Sequence, residues 1–228
     1  MNEDIKLFLK EFDKPIKGCG NFCFMSRGKE FQQDAINELT ALKQKVISLK
    51  EKAIKNKDED SANCALSLEN IIDAMINELM MWIALKEDDP NKAWDYLIEA
   101  QSNAKTALKA HYIAIDLNME KYSDKLYLLE KLLFPPQIFF SPGFIIIESK
   151  CSICGKEYGE CEHIVGKAYM GQMCNRIITE TDLKEVSVVE EPANKHARIL
   201  TFTDNGVTRD FMTWKIIDGQ KENNKDNT

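Results

Sequence analysis

The stretch CSICGKEYGECEHIVGKAYMGQMC, residues 151–174, gathers four of the chain's seven cysteines and one of its three histidines. Cys151 and Cys154 have two residues between them, the spacing at which two thiolates reach one ion at metal–sulfur distances of about 2.3 Å. Cys161 and His163 supply a second pair with one residue between. Together they make a Cys3His set, and thiolates with one imidazole suit tetrahedral zinc, whereas calcium and magnesium demand oxygen ligands. Cys174 is an alternative fourth ligand in place of His163 or Cys161. The same residues read without a metal as buried cysteines of a small β domain. Their density beside Gly155, Gly159, Gly166 and Gly171 fits a tight metal knuckle better. Four protein ligands, three of them thiolates, fill the tetrahedron and leave no place for an activated water, so the spacing predicts a structural zinc.

The cysteine number is odd and the cysteines are clustered, which favours reduced, metal-ligating thiols over a disulfide framework. With 228 residues, 44% of them hydrophobic, the chain can bury one substantial core or two modest ones, and two are expected. A formal charge of −7 removes any general attraction to phosphate backbones or anionic lipid, so nucleic acid is not the default partner. Neither a basic-then-apolar leader nor an apolar run near the roughly 20 residues of a bilayer span is evident, and a cytoplasmic protein without membrane contact is expected.

The first part of the chain reads as helices. Ile5, Phe8, Leu9 and Phe12 share one face of a short docking helix that Pro15, Gly18 and Gly20 should end. From about Phe22 or Glu30 to Ile54, the residues Ile36, Leu39, Leu42, Val46, Leu49 and Ala53 mark a long amphipathic helix. KNKDEDS is the turn to a second stripe of Cys64, Leu68, Ile71, Met75, Leu79 and Trp82, which stops at KEDDP. There Asp89 can cap a third helix with Pro90 at its first position. That helix carries Trp94, Leu97, Gln101, Ala104, Leu108, His111 and Ile115. A last stretch, Tyr122, Leu126, Leu129 and Leu133, either completes an antiparallel bundle or continues the third helix past a kink near Asn118.

FPPQIFFSPGF breaks the helical pattern, so the boundaries expected are a helical bundle over 1–134 and a zinc-binding β-rich domain over 135–217. FIIIES, KEVSVV, ARILTF and VTRDFMTWKII read as strands, and Asn205-Gly206 between the last two as a hairpin turn. Residues 218–228 carry nothing to bury and read as a disordered tail. The fold class is thus α+β.

Two short stretches resemble known families. CSICG followed by EHIVG resembles the opening of zinc-supported HNH nucleases, in which the His of a DHIV-like segment is the general base. Here Glu162 stands for the Asp, Gly166 follows Val165 where that family has Pro, Asn175 is the middle residue, and His196 lies beyond a strand. LKEVSVVEEPANKHARI, residues 183–199, resembles the strand and turn of phage prohead maturation proteases, and implies a phage-related or anti-phage defence locus. Ser187 and His196 would be that module's only dyad, without an orienting acid or oxyanion hole in the pattern. The zinc deaminase pattern fails, because Lys150 precedes Cys151 where Pro is needed and His111 is followed by Tyr-Ile.

His111 reads as a hydrogen-bonded core histidine, Trp82, Trp94 and the methionines as bundle packing, and Cys19 and Cys23 as structural thiols. The reading is a non-catalytic, zinc-stabilised interaction or adaptor protein that binds another protein through its helices, with self-association open. The alternatives are a divergent HNH-like metal-dependent nuclease and a zinc-knuckle nucleic-acid-binding module. For the last, Lys156, Lys167 and Arg176 are offset by Glu157, Glu160 and Glu162, leaving Tyr158 and Tyr169 in its favour.

Overall fold

Apolar residues recurring every three or four positions generate the first six elements: α1 (Glu3–Gly20), α2 (Lys29–Lys55), α3 (Glu59–Lys86), α4 (Pro90–Ala110), α5 (Ile113–Asp116) and α6 (Met119–Leu133). The computed structural model describes residues 1–218 and has an α+β architecture, with an antiparallel helical bundle followed by small antiparallel sheets, one of which carries the Cys/His knuckle. Helix α3 lies between α2 and α4. It buries residues around its whole circumference, among them Leu68, Ile72, Leu79 and Trp82, which identifies it as the central helix of the bundle. The Asp58 carboxylate accepts from Ser61 N at 3.2 Å to cap α3, and Asp89 accepts from Lys92 N at 3.0 Å to cap α4, with Pro90 at the first helical position as expected.

One helix end differs from the sequence reading, another falls at the last of the stops that reading named, and the alternative left open at Asn118 is resolved. Helix α1 continues through Pro15 to Gly20, because Ile16 and the buried Cys19 prolong its apolar stripe and that packing offsets the lost backbone bond. Helix α4 stops at Ala110, so His111 and Ile115 do not belong to it; His111 turns out of the helix in an extended conformation. Its ring is buried, Nδ1 accepts from Ile113 N at 3.1 Å and Nε2 lies 3.2 Å from Asp60 Oδ1, the hydrogen-bonded core histidine anticipated. Asn118, left-handed at φ +59°, separates the single turn of α5 from α6, so residues 119–133 form their own helix.

The change from helix to strand falls between Leu133 and Phe139. Strands β1 (Phe139–Cys151) and β4 (Arg176–Val189) pair as a long antiparallel ribbon, with Phe139 opposite Val189 and Cys151 opposite Arg176. The knuckle is inserted at its far end and contains the short hairpin β2 (Ala168–Tyr169) and β3 (Gln172–Met173). A separate sheet has the order β5 (Thr201–Asp204), β6 (Val207–Asp210), β7 (Ile216–Asp218). Asn205 and Gly206, at φ +49° and +77°, form the expected hairpin turn. The run 207–217, read as one strand, is two, because Asp210 Oδ1 gathers Met212 N, Thr213 N and the Thr213 hydroxyl into a turn. Asp218 ends β7; the rest of the segment read as a disordered tail, 219–228, lies outside the described residues.

The β-rich part is fastened to α4. Trp94 meets Phe134 edge-on at 5.4 Å and Phe139 at 6.1 Å, and its indole N–H donates to Lys195 O at 3.1 Å. Arg198 Nη2 donates to Asn91 Oδ1 at 2.7 Å, and Asn91 Nδ2 donates to Asp210 Oδ2 at 2.6 Å. Phe139 and Met212 thereby join the core built by the helices. Among the described residues, no helix is long and apolar enough to cross a membrane.

Candidate metal centre

The ribbon delivers Cys151 to its far end, where the chain turns back on itself. Gly155 N donates to Cys151 O at 2.8 Å and Cys151 N to Lys156 O at 2.9 Å, a tight loop that needs Gly155 at φ +71°. This loop swings Cys154 over Cys151. Across it come Cys161 and His163, and the ligand atoms of Cys151, Cys154, Cys161 and His163 all lie within 4.8 Å of one another. Such a group could hold a metal ion. Cys151 is buried, Cys154 exposed, and Cys161 and His163 are half-buried.

The imidazole shows the fit most directly. Among the described residues, His163 Nδ1 is a buried ring nitrogen with no hydrogen-bond partner, a costly arrangement unless something else binds that atom. Tyr169 stands edge-on against the His163 ring at 4.7 Å, and its hydroxyl accepts from Ile164 N at 3.0 Å, so the tyrosine is held against the imidazole.

The sulfurs differ from one another. Burial raises the Cys151 thiol, but the backbone N–H groups of Cys154 and Ile153 and the thiols of Cys161 and Cys154 outweigh it and bring Cys151 down to about 6. At Cys161 the His163 N–H lowers the pKa, while burial and the facing sulfurs of Cys151 and Cys154 raise it further, for a net rise. Cys174 is fully buried, and burial first and the Cys151 sulfur second hold its thiol up. Its Sγ lies 3.9 Å from Cys151 Sγ, yet it stands outside the group of four mutually close ligand atoms. Two backbone bonds, Gly166 N to Cys174 O at 2.8 Å and Cys174 N to Lys167 O at 2.9 Å, fix it to the neighbouring turn.

The knuckle is seated on the bundle. Ala168 and Met173 pack against Leu66 of α3 and Ala110 of α4, and Asn63 of α3 bonds the backbone of the β2–β3 hairpin. Asn63 escaped the sequence reading because an amide within the apolar pattern SANCALSLEN gives no local sign that it faces another backbone.

The remaining candidates lie elsewhere. His196 is held between Asp95 Oδ1 and Glu99 Oε1 of α4, each at 3.3 Å, while Ser187 sits opposite Ser141 in the ribbon. Cys19 and Cys23 are buried in the bundle, and burial pushes the Cys19 thiol up to about 12, in keeping with packing thiols. Asn175 uses its backbone N–H on the Ser152 hydroxyl at 2.8 Å.

Comparison with protein-family models, with curated protein sequences and with solved structures returned no match.

Proposed function

We propose that this chain is a non-catalytic interaction or adaptor protein whose knuckle is held by one zinc ion on Cys151, Cys154, Cys161 and His163. The observation that carries the reading is the convergence of three thiols on the ring of His163, whose buried Nδ1 has no hydrogen-bond partner among the described residues. Three sulfurs and one nitrogen match zinc in softness and number, and four protein donors leave no open position for a reacting water. A role in holding structure follows. The knuckle is too small to be stable alone, and its closure onto α3 gives the ribbon a fixed end.

The helices offer the surface for a protein partner. On α6, Leu128 and Leu132 are exposed at 56% and 69% and lie one helical turn apart, the spacing of a helix that docks in a groove. A cytoplasmic location, suited to reduced thiols, is part of the same reading. The nuclease alternative would need His163 as a base, but that ring is directed into the thiol group. The nucleic-acid alternative would need open aromatic faces. Instead Arg176 lies over Tyr158 at 5.1 Å and Lys167 over Tyr169 at 5.5 Å.

Elemental analysis of freshly purified, unchelated protein should find one zinc per chain, and protein free of metal would sink the zinc reading. A Leu128→Lys/Leu132→Lys variant should lose a partner that the native chain captures from its own cell. Metal-dependent cleavage of DNA or RNA that disappears in a zinc-loaded His163→Ala variant would replace the adaptor reading with the nuclease.

A further inference from the structure

The β1–β4 ribbon exposes one face that is apolar and free of charge. Register places Phe140 opposite Val188, Pro142 opposite Val186, and Phe144 opposite Leu183, so all six side chains project from the same side. Phe140 and Phe144 are 42% and 41% exposed, Val188, Val186 and Leu183 64%, 57% and 60%. The charged residue paired between them, Glu185, lies on the opposite side. There Glu185 folds across Gly143, its Cγ only 2.9 Å from where a glycine Cβ would stand. A two-stranded ribbon is marginally stable in water and needs a further layer on its apolar face.

We infer that a second copy of this chain covers this face, so that two ribbons pack face to face about a two-fold axis. Three observations select that occupant. No described residue of the chain covers this face, and the ten residues after Asp218, GQKENNKDNT, carry no apolar side chain to lay on it. Two copies of a chain of charge −7 repel one another overall, and a contact through this face brings none of the ribbon's paired charges together, so it adds least to that repulsion. The area also suffices: with residue surfaces of on the order of 150–200 Å², the five side chains with these exposures present roughly 400–530 Å² per copy, or about 800–1,050 Å² for two, near the threshold of about 1,000 Å² for a specific interface. Packing is face to face and not edge to edge. Register shifts between Gly143 and Phe144 and again between Ile146 and Ser149 interrupt the ribbon, and such bulges spoil an edge for strand addition.

Sedimentation velocity on the full-length, metal-loaded chain tests this. The native chain should sediment at twice the chain mass at micromolar concentration. A Val186→Lys/Val188→Lys variant should sediment as monomer, with unchanged far-UV circular dichroism. Should the lysines disturb folding, Val186→Thr/Val188→Thr keeps the strand preference and should still weaken self-association at least about tenfold. Leu128→Lys on α6 should leave the dimer intact. A native chain that stays monomeric at about 100 µM, where an interface of this size should have formed, overturns the inference, as does a dimer that the threonine pair leaves equally tight.

Discussion

Asn63 of α3 and Gly171 of the knuckle are joined at 2.8 Å, the glycine N–H donating to the amide oxygen while the amide nitrogen donates to Ala168 O at 3.3 Å. One side chain thus bonds two backbone groups of the β2–β3 hairpin. Gly171 allows the approach twice over. Its φ of +76° suits the two-residue turn, and a Cβ there would lie 3.3 Å from Ala62 O and 3.1 Å from Lys50 Cγ. Replacing Asn63 with Leu should strand a buried N–H and cost about 1–3 kcal/mol. Hydrogen exchange should rise across residues 164–174 with helicity unchanged, and unaltered exchange in that segment would show that Asn63 does not hold the knuckle.

If one zinc ion closes the knuckle as proposed, its removal should act locally. The base of the ribbon and the β5–β7 sheet are tied to α4 through Trp94 and Asn91, whereas residues 152–175 are closed by the Cys/His group and the Asn63 contact. Strong chelation should therefore leave most helical circular dichroism and bring the first protease cuts between 152 and 175. Collapse of helicity on chelation would contradict this. Because Cys174 stands outside the group of four, His163→Ala should lower metal content more than Cys174→Ser. The reverse order would make Cys174 the fourth ligand.

Much of the site was legible because metal ligands follow spacing. Cys-x-x-Cys and Cys-x-His are set within a few residues, and the chain has only to turn tightly for the donors to meet. The three long helices α2, α3 and α4 were legible in the same way, since period and caps are local, and Asp89-Pro90 fell where expected. What escaped depends on tertiary context. Pro15 looked like a stop, yet Cys19 beyond it is buried and carries α1 onward. The ribbon's length was underestimated because FIIIES and KEVSVV show only the apolar portions of strands that run from Phe139 and from Arg176, with SPG and TETD inside them. Asp210 appeared to be one more residue of a strand, and its carboxylate instead ends it.

That carboxylate makes the attachment of the last sheet acid-sensitive. Burial raises its pKa, but the Thr213 N–H, the Asn91 amide, the Thr213 hydroxyl and the Met212 N–H together outweigh burial and hold Asp210 below the ordinary aspartate value. A depressed folded pKa contributes stability that is complete above the unfolded value of about 3.9 and is lost as pH falls through the folded one. The stability gap between the native chain and Asp210→Asn, measured by urea titration, should be widest near neutrality and narrow below about pH 4. A gap independent of pH from 7 to 3 would remove Asp210 from the acid response.

The most demanding group in the bundle is Glu78, fully buried on α3. Lys125 Nζ lies 2.7 Å from Oε1 and 2.8 Å from Oε2, the Tyr122 hydroxyl donates to Oε2 at 2.7 Å, and the Trp82 indole N–H reaches Oε1 at 3.3 Å. Three donors from α3 and α6 satisfy one carboxylate, and burial together with that carboxylate holds the Tyr122 hydroxyl protonated far above its usual range. Removing one partner should cost more than removing the set, because the group left behind remains out of water. Lys125→Met should destabilise by about 1–3 kcal/mol, moderated by the lysine's 40% exposure, and Glu78→Leu by at least as much through the stranded tyrosine hydroxyl. Combining Glu78→Leu, Lys125→Met and Tyr122→Phe should recover stability relative to the sum of the single losses, a coupling of about 1–3 kcal/mol measurable by denaturant titration. Strict additivity of the three would mean that the network does not act as a unit and that α6 is held to α3 by its apolar contacts alone.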